Sequence, residues 1–314
     1  MRALVFDRYG PPEQVLRLEL VPRPQPQPGE VLVRVRAASL NSWDWDLLTG
    51  TPMGRVMGPL RPPFKILGAD IAGTVEAVGQ GVSAFAHGAP VFADLSGGEW
   101  GGLADYVCVP AVALSQIPDG LSFTDAAAIP QAGGLALQAL RKFPGLAAGH
   151  TLLINGAGGG VGTYAIQMAK AKGATVVAVD RPGKRNALLA VGADAYIDFR
   201  SEDYTSRRDS YDFIIDMVTN RAARDYARCL RPGGRMAVVG GTFPGIIGVA
   251  LTGRLHRGRS LEVVVYKVRP QDNAELAALV RPIIDSSFSL EDGAKAFRRL
   301  GDGQHVGKVV VTME

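Results

Sequence analysis

The residues most able to do chemistry sit in one stretch, NGAGGGVGTYAIQMAK. There Ala157, Gly159 and Gly162 stand at the spacing A-x-G-x-x-G, with Gly158, Gly160 and Val161 between them. A strand that ends in such a turn and opens a helix presents unpaired backbone N–H groups and the positive end of a helix dipole, which is a place for a pyrophosphate. The context agrees: the apolar run TLLIN precedes the turn, an amphipathic helix closes on Gly173, and ATVVAVD follows as the next strand. Ala157 departs from the strict G-x-G-x-x-G, and a plain structural turn is the alternative reading.

Asp180 ends that second strand, 21 positions after Gly159. An acidic side chain there accepts hydrogen bonds from the adenosine ribose hydroxyls, the mark of NAD. Arg181, Lys184 and Arg185 follow at once and have the charge to neutralise a 2′-phosphate, the mark of NADP. A solvated basic loop is the third reading of those cations.

These residues need a parallel sheet beneath them, and the chain supplies one. From TLLIN onward, strands of four to seven apolar residues (TLLIN, ATVVAVD, AYIDF, DFIIDMV, RMAVVGG) alternate with helical segments, the pattern of βαβ units. Residues 1 to about 118 read differently. EVLVRVRAASL and DIAGTVEAVG alternate between apolar and polar, with Gly- and Pro-rich turns between them, as in a partly open antiparallel barrel. The final GKVVVTME is again β in pattern and is expected to return to that first domain. The reading is therefore α/β: a β domain over 1–118 with 265–314 returning to it, and a doubly wound Rossmann domain over 119–264. At 314 residues the chain exceeds the size of a single core, in keeping with two domains.

Composition excludes several classes. A net charge of +4, spread along the chain, gives no basic patch for nucleic acid. Cys108 and Cys229 alone form neither a disulfide framework nor a metal cluster. The N-terminal MRALVFDRYG shows no charged leader before an apolar segment, and no apolar run reaches roughly 18 residues, so a cytoplasmic protein without a membrane partner is expected.

Seven motifs in order, LNSWDWDLLTG, LGADIAGTVEAVGQGV, GGLADYVCVP, AAAIPQAGGLALQAL, NGAGGGVGTYAIQMAK, VGADAYIDF and GKVVV, resemble the medium-chain dehydrogenase/reductase superfamily in its zinc-free quinone oxidoreductase branch, which includes zeta-crystallin. The resemblance implies a GroES-like β domain, a Rossmann domain, a substrate cleft and a homodimer. It implies an NAD(P)H-dependent reductase of quinones or enones, with NADP(H) ahead of NAD(H). The positions matching the zinc ligands of the family's alcohol dehydrogenases are Asn41, Ala69 and one near Gln131, a set without the Cys, His and carboxylate donors zinc requires. Without zinc to lower an alcohol's pKa, acceptors that already spread negative charge are favoured.

Asn41 and Asp44 then fall where the family lines the nicotinamide end of the cleft, Asn41 to hydrogen-bond a substrate carbonyl and Asp44 to anchor the loop or cap its helix. Gly240, Gly241 and Thr242 end the strand RMAVVGG and approach the nicotinamide, or form a tight turn before FPG. Lys308 matches the family's lysine near the C-terminal strand, or is a solvated edge charge. Trp43 and Leu48 are possible pocket walls. Between AELAALV and RPIIDSSFSL the family usually carries several more residues, so the turn near 280–283 is compressed. A non-catalytic dinucleotide sensor and a zinc-free alcohol dehydrogenase are the alternative functions.

Overall fold

The structure, a computed structural model, describes every residue except Glu99 and Glu314. The chain divides into two compact units, Met1–Gly134 with Lys267–Glu314, and Leu135–Tyr266. The first unit thus runs past residue 118, because the short helix Phe123–Ala128 packs on strands Glu30–Leu40, Asp70–Val78 and Lys308–Thr312. Its apolar face, Ala126 to Ala128, is fully buried there.

The first unit is built on a seven-stranded sheet ordered Ile284–Ser289, Lys308–Thr312, Glu30–Leu40, Asp70–Val78, Pro90–Asp94 and Ser115–Gln116, with Tyr106–Pro110 also pairing to Glu30–Leu40. All neighbours run antiparallel except the parallel pair Ile284–Ser289 and Lys308–Thr312. The central strand is buried at Val31 to Val33, opens at Arg34 and Arg36 on either side of buried Val35, then is buried throughout from Ala37 to Leu40. That last stretch lies against Val309, Val310, Val311 and Thr312, which is how the C-terminal segment joins this sheet. Near the turn at 280–283 the Ile283 carbonyl accepts the Lys308 N–H at 2.8 Å.

The second unit holds a six-stranded, wholly parallel sheet in the order Ala195–Asp198, Thr175–Asp180, Thr151–Asn155, Tyr211–Asp216, Leu230–Val238, Ser260–Val263. Five of these strands match the apolar runs of the sequence. The sixth, Ser260–Val263, is short and follows the basic loop GRLHRGR, so its pattern is too weak to read alone. Near-continuous apolar strands are what a sheet covered on both faces demands. The helix Gly160–Ala171 buries Tyr164, Ile166 and Met168 together with Gly162, Thr163, Ala165 and Ala169, the small ones letting its axis come close to the strands. It stops at Gly173, whose φ of +77° suits glycine. No helix among the described residues is long and apolar enough to cross a membrane.

Candidate functional site

In the parallel sheet the register aligns the strand ends: Asp198 lies beside Asp180, and Asn155 beside both Val179 and Asp216. The carboxyl edge of such a sheet is where α/β folds bind ligands. The glycine turn sits on this edge. Gly156 takes φ +82°, and Ala157, fully buried, accepts the close approach of Gly162. A Cβ at Gly162 would stand 2.4 Å from the Ala157 carbonyl oxygen, so glycine there is a packing requirement between helix and turn. At Gly159 an added Cβ meets nothing nearer than 3.6 Å. Gly159 is the N-cap of the helix and offers no side-chain acceptor to the first-turn N–H groups of Gly160, Val161 and Gly162, the end of a helix where anions bind.

Asp180 is buried and already engaged. Its Oδ2 accepts the Gly158 N–H at 2.7 Å, its Oδ1 accepts the Arg181 N–H at 2.8 Å, and Lys184 Nζ stands 3.6 Å from Oδ1. A Cβ at Gly158 would lie 2.5 Å from Lys184 Cδ and 2.9 Å from Asp180 Oδ2, so this glycine leaves room for the pair. Lys184, read from the sequence as a cation for a 2′-phosphate or as part of a solvated loop, is buried at 6% exposure against Asp180, so it is not a solvated loop charge. A cavity of about 190 Å³ opens beside them, lined by Asn155, Asp180, Arg181, Phe199, Tyr204 and Arg221 among others.

Beneath the cavity Asp216, wholly buried, accepts from Asn155 Nδ2 at 3.0 Å, from the Val218 and Thr219 N–H groups at 2.7 and 2.8 Å, and from Tyr204 Oη at 3.4 Å. Burial pushes its carboxyl above the usual range while these donors pull it back. The turn it holds carries Thr219 at φ +31°. Gly240 accepts the Thr219 hydroxyl at 2.7 Å, Thr242 Oγ1 donates to the Thr219 carbonyl at 2.9 Å, and a Cβ at Gly241 would meet Val218 O at 2.5 Å. Thr242 also caps the helix Phe243–Thr252 through the Gly245 N–H. The three residues therefore shape one locked turn with Val218 and Thr219.

The first unit gathers a second set of buried polar groups. Asn41 precedes the helix Ser42–Thr49, and its N–H donates to Asp44 Oδ2 at 2.8 Å while the Gly68 N–H donates to Asp44 Oδ1 at 2.9 Å. Asp44 is thus the acidic member of a helix cap, fully buried, and burial drives its carboxyl up to about 7. Asn41 uses both ends of its amide: Nδ2 donates to Asp70 Oδ2 at 2.9 Å, and Oδ1 accepts Lys308 Nζ at 2.5 Å. Lys308 also stands 3.5 Å from Asp70 Oδ2. It is no edge charge, since it is 3% exposed and burial lowers its ammonium pKa against the pull of Asp70. Burial in turn raises Asp70, with Lys308 opposing. Trp43 and Leu48 belong to the hydrophobic core of this unit, Leu48 completely.

Sequence reasoning missed Asp70, Asp216, Asn155, Phe199 and Arg221. Asp216 and Asn155 carried a readable signal, because polar residues ending parallel strands point to the binding edge. Asp70 carried none apart from standing next to Ala69. Neither Asn41 nor Ala69 suits zinc: Ala69 has no donor atom, and the Asn41 amide is held by Asp70 and Lys308. No three His, Cys, Asp or Glu side chains among the described residues converge as a metal would need.

Residues 27–119 match the family described as alcohol dehydrogenase GroES-like domain, and residues 191–311 the family described as zinc-binding dehydrogenase. The second stretch contains none of Asn41, Ala69 and Gln131, so its description says nothing of a metal there. A chloroplastic quinone-oxidoreductase, QR1, of Triphysaria versicolor is 30% identical over 328 residues, covering 99% of this chain and 98% of that protein. A 2-methylene-furan-3-one reductase of Solanum lycopersicum is 32% identical over 271 residues, 82% of this chain and 66% of the plant protein. Among solved structures, the quinone oxidoreductase from Coxiella burnetii superposes with a TM-score of 0.90 at 29% identity, covering 100% of this chain and 99% of that one.

Proposed function

The chain belongs to the medium-chain dehydrogenase/reductase superfamily, in its quinone oxidoreductase branch, and on that footing we propose that it reduces a quinone or an enone with NADPH, less readily with NADH, and without a metal. What supports this reading is that the positions resembling the zinc ligands of the family's alcohol dehydrogenases are Asn41, Ala69 and one near Gln131, and that Lys308 and Asp70 hold the Asn41 amide. An alcohol substrate would lack the Lewis acid that lowers its pKa. A quinone or enone needs none, because its own π system receives the electron pair. The likeness to a quinone-oxidoreductase of Triphysaria and a 2-methylene-furan-3-one reductase of tomato supports the same acceptor classes.

When bound, the nicotinamide supplies the hydride. The protein's residues hold and orient it: the N–H groups after Gly159 take the pyrophosphate, and Asp180 accepts from the ribose. Arg181 and Arg221, the latter 3.8 Å from Asp203, line the cavity beside the Asp180–Lys184 pair, and guanidinium groups there suit a 2′-phosphate. Phe199 offers an apolar wall to the adenine. The turn of Gly240, Gly241 and Thr242 is read as approaching the nicotinamide, and Asn41, held by Asp70 and Lys308, as lining the acceptor's side of the site.

A homodimer is part of the reading. Phe243, Ile247, Leu251 and Leu255 recur every four residues and are exposed, Leu251 by 74% and Leu255 by 73%, beside the edge strand Ser260–Val263. That strand pairs with Leu230–Val238 on one side and ends the sheet among the described residues, and such a row beside a sheet edge suits a second copy. Leu251→Glu with Leu255→Glu is expected to give a monomer by light scattering.

The deciding experiment is oxidation of NADPH and NADH with a panel of quinones and enones, before and after chelation. Turnover that is faster with NADPH and indifferent to chelation is expected. Tight cofactor binding with no turnover across the panel identifies a sensor instead, and activity lost together with about one zinc per chain refutes the metal-free reading.

A further inference from the structure

The buried polar cluster of the first unit satisfies its members with one exception. Asp70 accepts from Asn41 Nδ2 at 2.9 Å, from Ser39 Oγ at 3.3 Å and from the Gln131 backbone N–H at 3.0 Å, and Lys308 joins Asn41 to Asp70. Asp44 takes two backbone N–H groups. The side-chain amide nitrogen of Gln131 is buried, the residue being 1% exposed, and has no partner among the described residues. An unsatisfied buried donor costs about 1–3 kcal/mol, and folded proteins seldom keep one. Gln131 is the second residue of the helix Pro130–Leu140, whose next residues are Ala132, Gly133 and Gly134. An apolar side chain would avoid the cost there. Its main chain is pinned by Asp70, so the position from which the amide reaches is defined.

We infer that Gln131 Nε2 is a substrate-binding group that donates a hydrogen bond to the carbonyl oxygen of the acceptor. This rests on the reductase reading above and names the residue that stabilises its transition state. As the hydride forms a bond to the β-carbon of an enone, the alkene π pair moves to the α-carbon and the carbonyl π pair to oxygen. The dihydronicotinamide is oxidised and the enone becomes an enolate, which takes a proton from water at the α-carbon to give the saturated ketone. Negative charge grows on the oxygen during the first step, where a fixed neutral donor in a dry site is most effective. Asn41 and Lys308 are poorer candidates, because both already lean on the Asp70 carboxylate, whose charge opposes an oxyanion.

The test compares full-length wild type with Gln131→Leu and Gln131→Glu. For Gln131→Leu, kcat/KM toward quinones and enones falls about 100- to 1000-fold. Its NADPH Kd stays within about twofold, and Tm is unchanged or raised, since the orphan amide is gone. For Gln131→Glu, activity recovers as pH falls and the carboxyl gains a proton to donate. The enal 4-dimethylaminocinnamaldehyde, bound with NADP⁺ so that no reduction occurs, shows a red-shifted absorption band in wild type that Gln131→Leu abolishes. A leucine variant that keeps its kcat/KM within about threefold and keeps the red shift overturns the proposal. So does a lowered Tm with activity per folded molecule intact, or no red shift in wild type. If wild type turns over no acceptor, the reductase reading fails by itself, and the probe spectrum still decides whether Gln131 touches a carbonyl.

Discussion

Each unit buries a lysine beside an aspartate, and the two pairs are held in different ways. Asp180 in the parallel sheet rests on two backbone N–H groups at the start of a turn, with Lys184 as a third and longer contact at 3.6 Å. Asp70 in the antiparallel sheet rests chiefly on side chains, those of Asn41, Ser39 and Lys308, with one backbone N–H from Gln131. Backbone donors come with the fold and survive substitution. Side-chain donors are lost one at a time, and each loss leaves a buried charge or dipole exposed to a low dielectric. The first arrangement suits a recurring cofactor edge, and the second a site whose chemistry is set by individual side chains.

The comparison breaks first on its lysines. Lys308→Met is expected to cost about 3–5 kcal/mol at pH 8, because Asn41 and Asp70 lose the one cation bonded to them. Lys184→Met is expected to cost only about 1–2 kcal/mol, since the two N–H groups remain on Asp180. Urea denaturation of both variants decides it, and equal losses would erase the distinction.

The pH dependence of folding comes next. Burial holds Asp44 up to about 7, with the Asn41 and Gly68 N–H bonds and the Lys308 charge opposing and Asp94 adding to it. Its folded value lies above the ordinary 3.8, so its contribution to stability is full below about pH 4 and is lost as pH rises through about 7. A loss of a few kcal/mol across that window is expected in wild type, and Asp44→Asn flattens it. Identical slopes for the two proteins would show that Asp44 ionises normally.

The glycine turn sharpens the contrast at the cofactor edge. Gly159→Val has room in the protein alone, so it folds like wild type and loses NADPH affinity by at least about 100-fold, roughly 2.7 kcal/mol. Gly162→Val collides with the Ala157 backbone and lowers Tm as well. Fluorescence titration beside thermal melts separates the two, and a stable Gly162→Val that binds NADPH normally would contradict the packing described. The smallest effect is on preference. Arg181→Ala is expected to weaken NADPH about 10-fold and NADH hardly at all. Asp180→Ser shifts preference toward NADPH by releasing Lys184; a heavy loss of NADH affinity with no NADPH gain would mark Asp180 as a plain ribose acceptor.

The glycine turn was legible because every element of it is local. Gly158, Gly159 and Gly162, the strand before them and Asp180 after the next strand lie within one βαβ unit, so spacing alone places them together. The choice between a phosphate-facing and a solvated Lys184 was not legible, because nothing in a linear pattern shows that Gly158 leaves a slot for its stem beside Asp180. Lys308 is the same lesson at longer range: an apparent edge charge becomes a core cation once its strand inserts beside Glu30–Leu40.

From the sequence by itself come the alternation of parallel strands and helices, the β pattern of the first domain, and the glycine turn between a strand and a helix. Each follows from residue type and short spacing, where periodicity and backbone geometry act within a few residues. Only the tertiary structure decided that Asp70 is the hub joining Asn41, Gln131 and Lys308, residues up to 267 positions apart. It also decided that Asp44 is a cap, that Leu48 is core, and that Asp180 already holds a partner. Burial and pairing depend on which distant strands meet, and no local pattern encodes the desolvation that then sets the charge and the hydrogen-bond needs of each group.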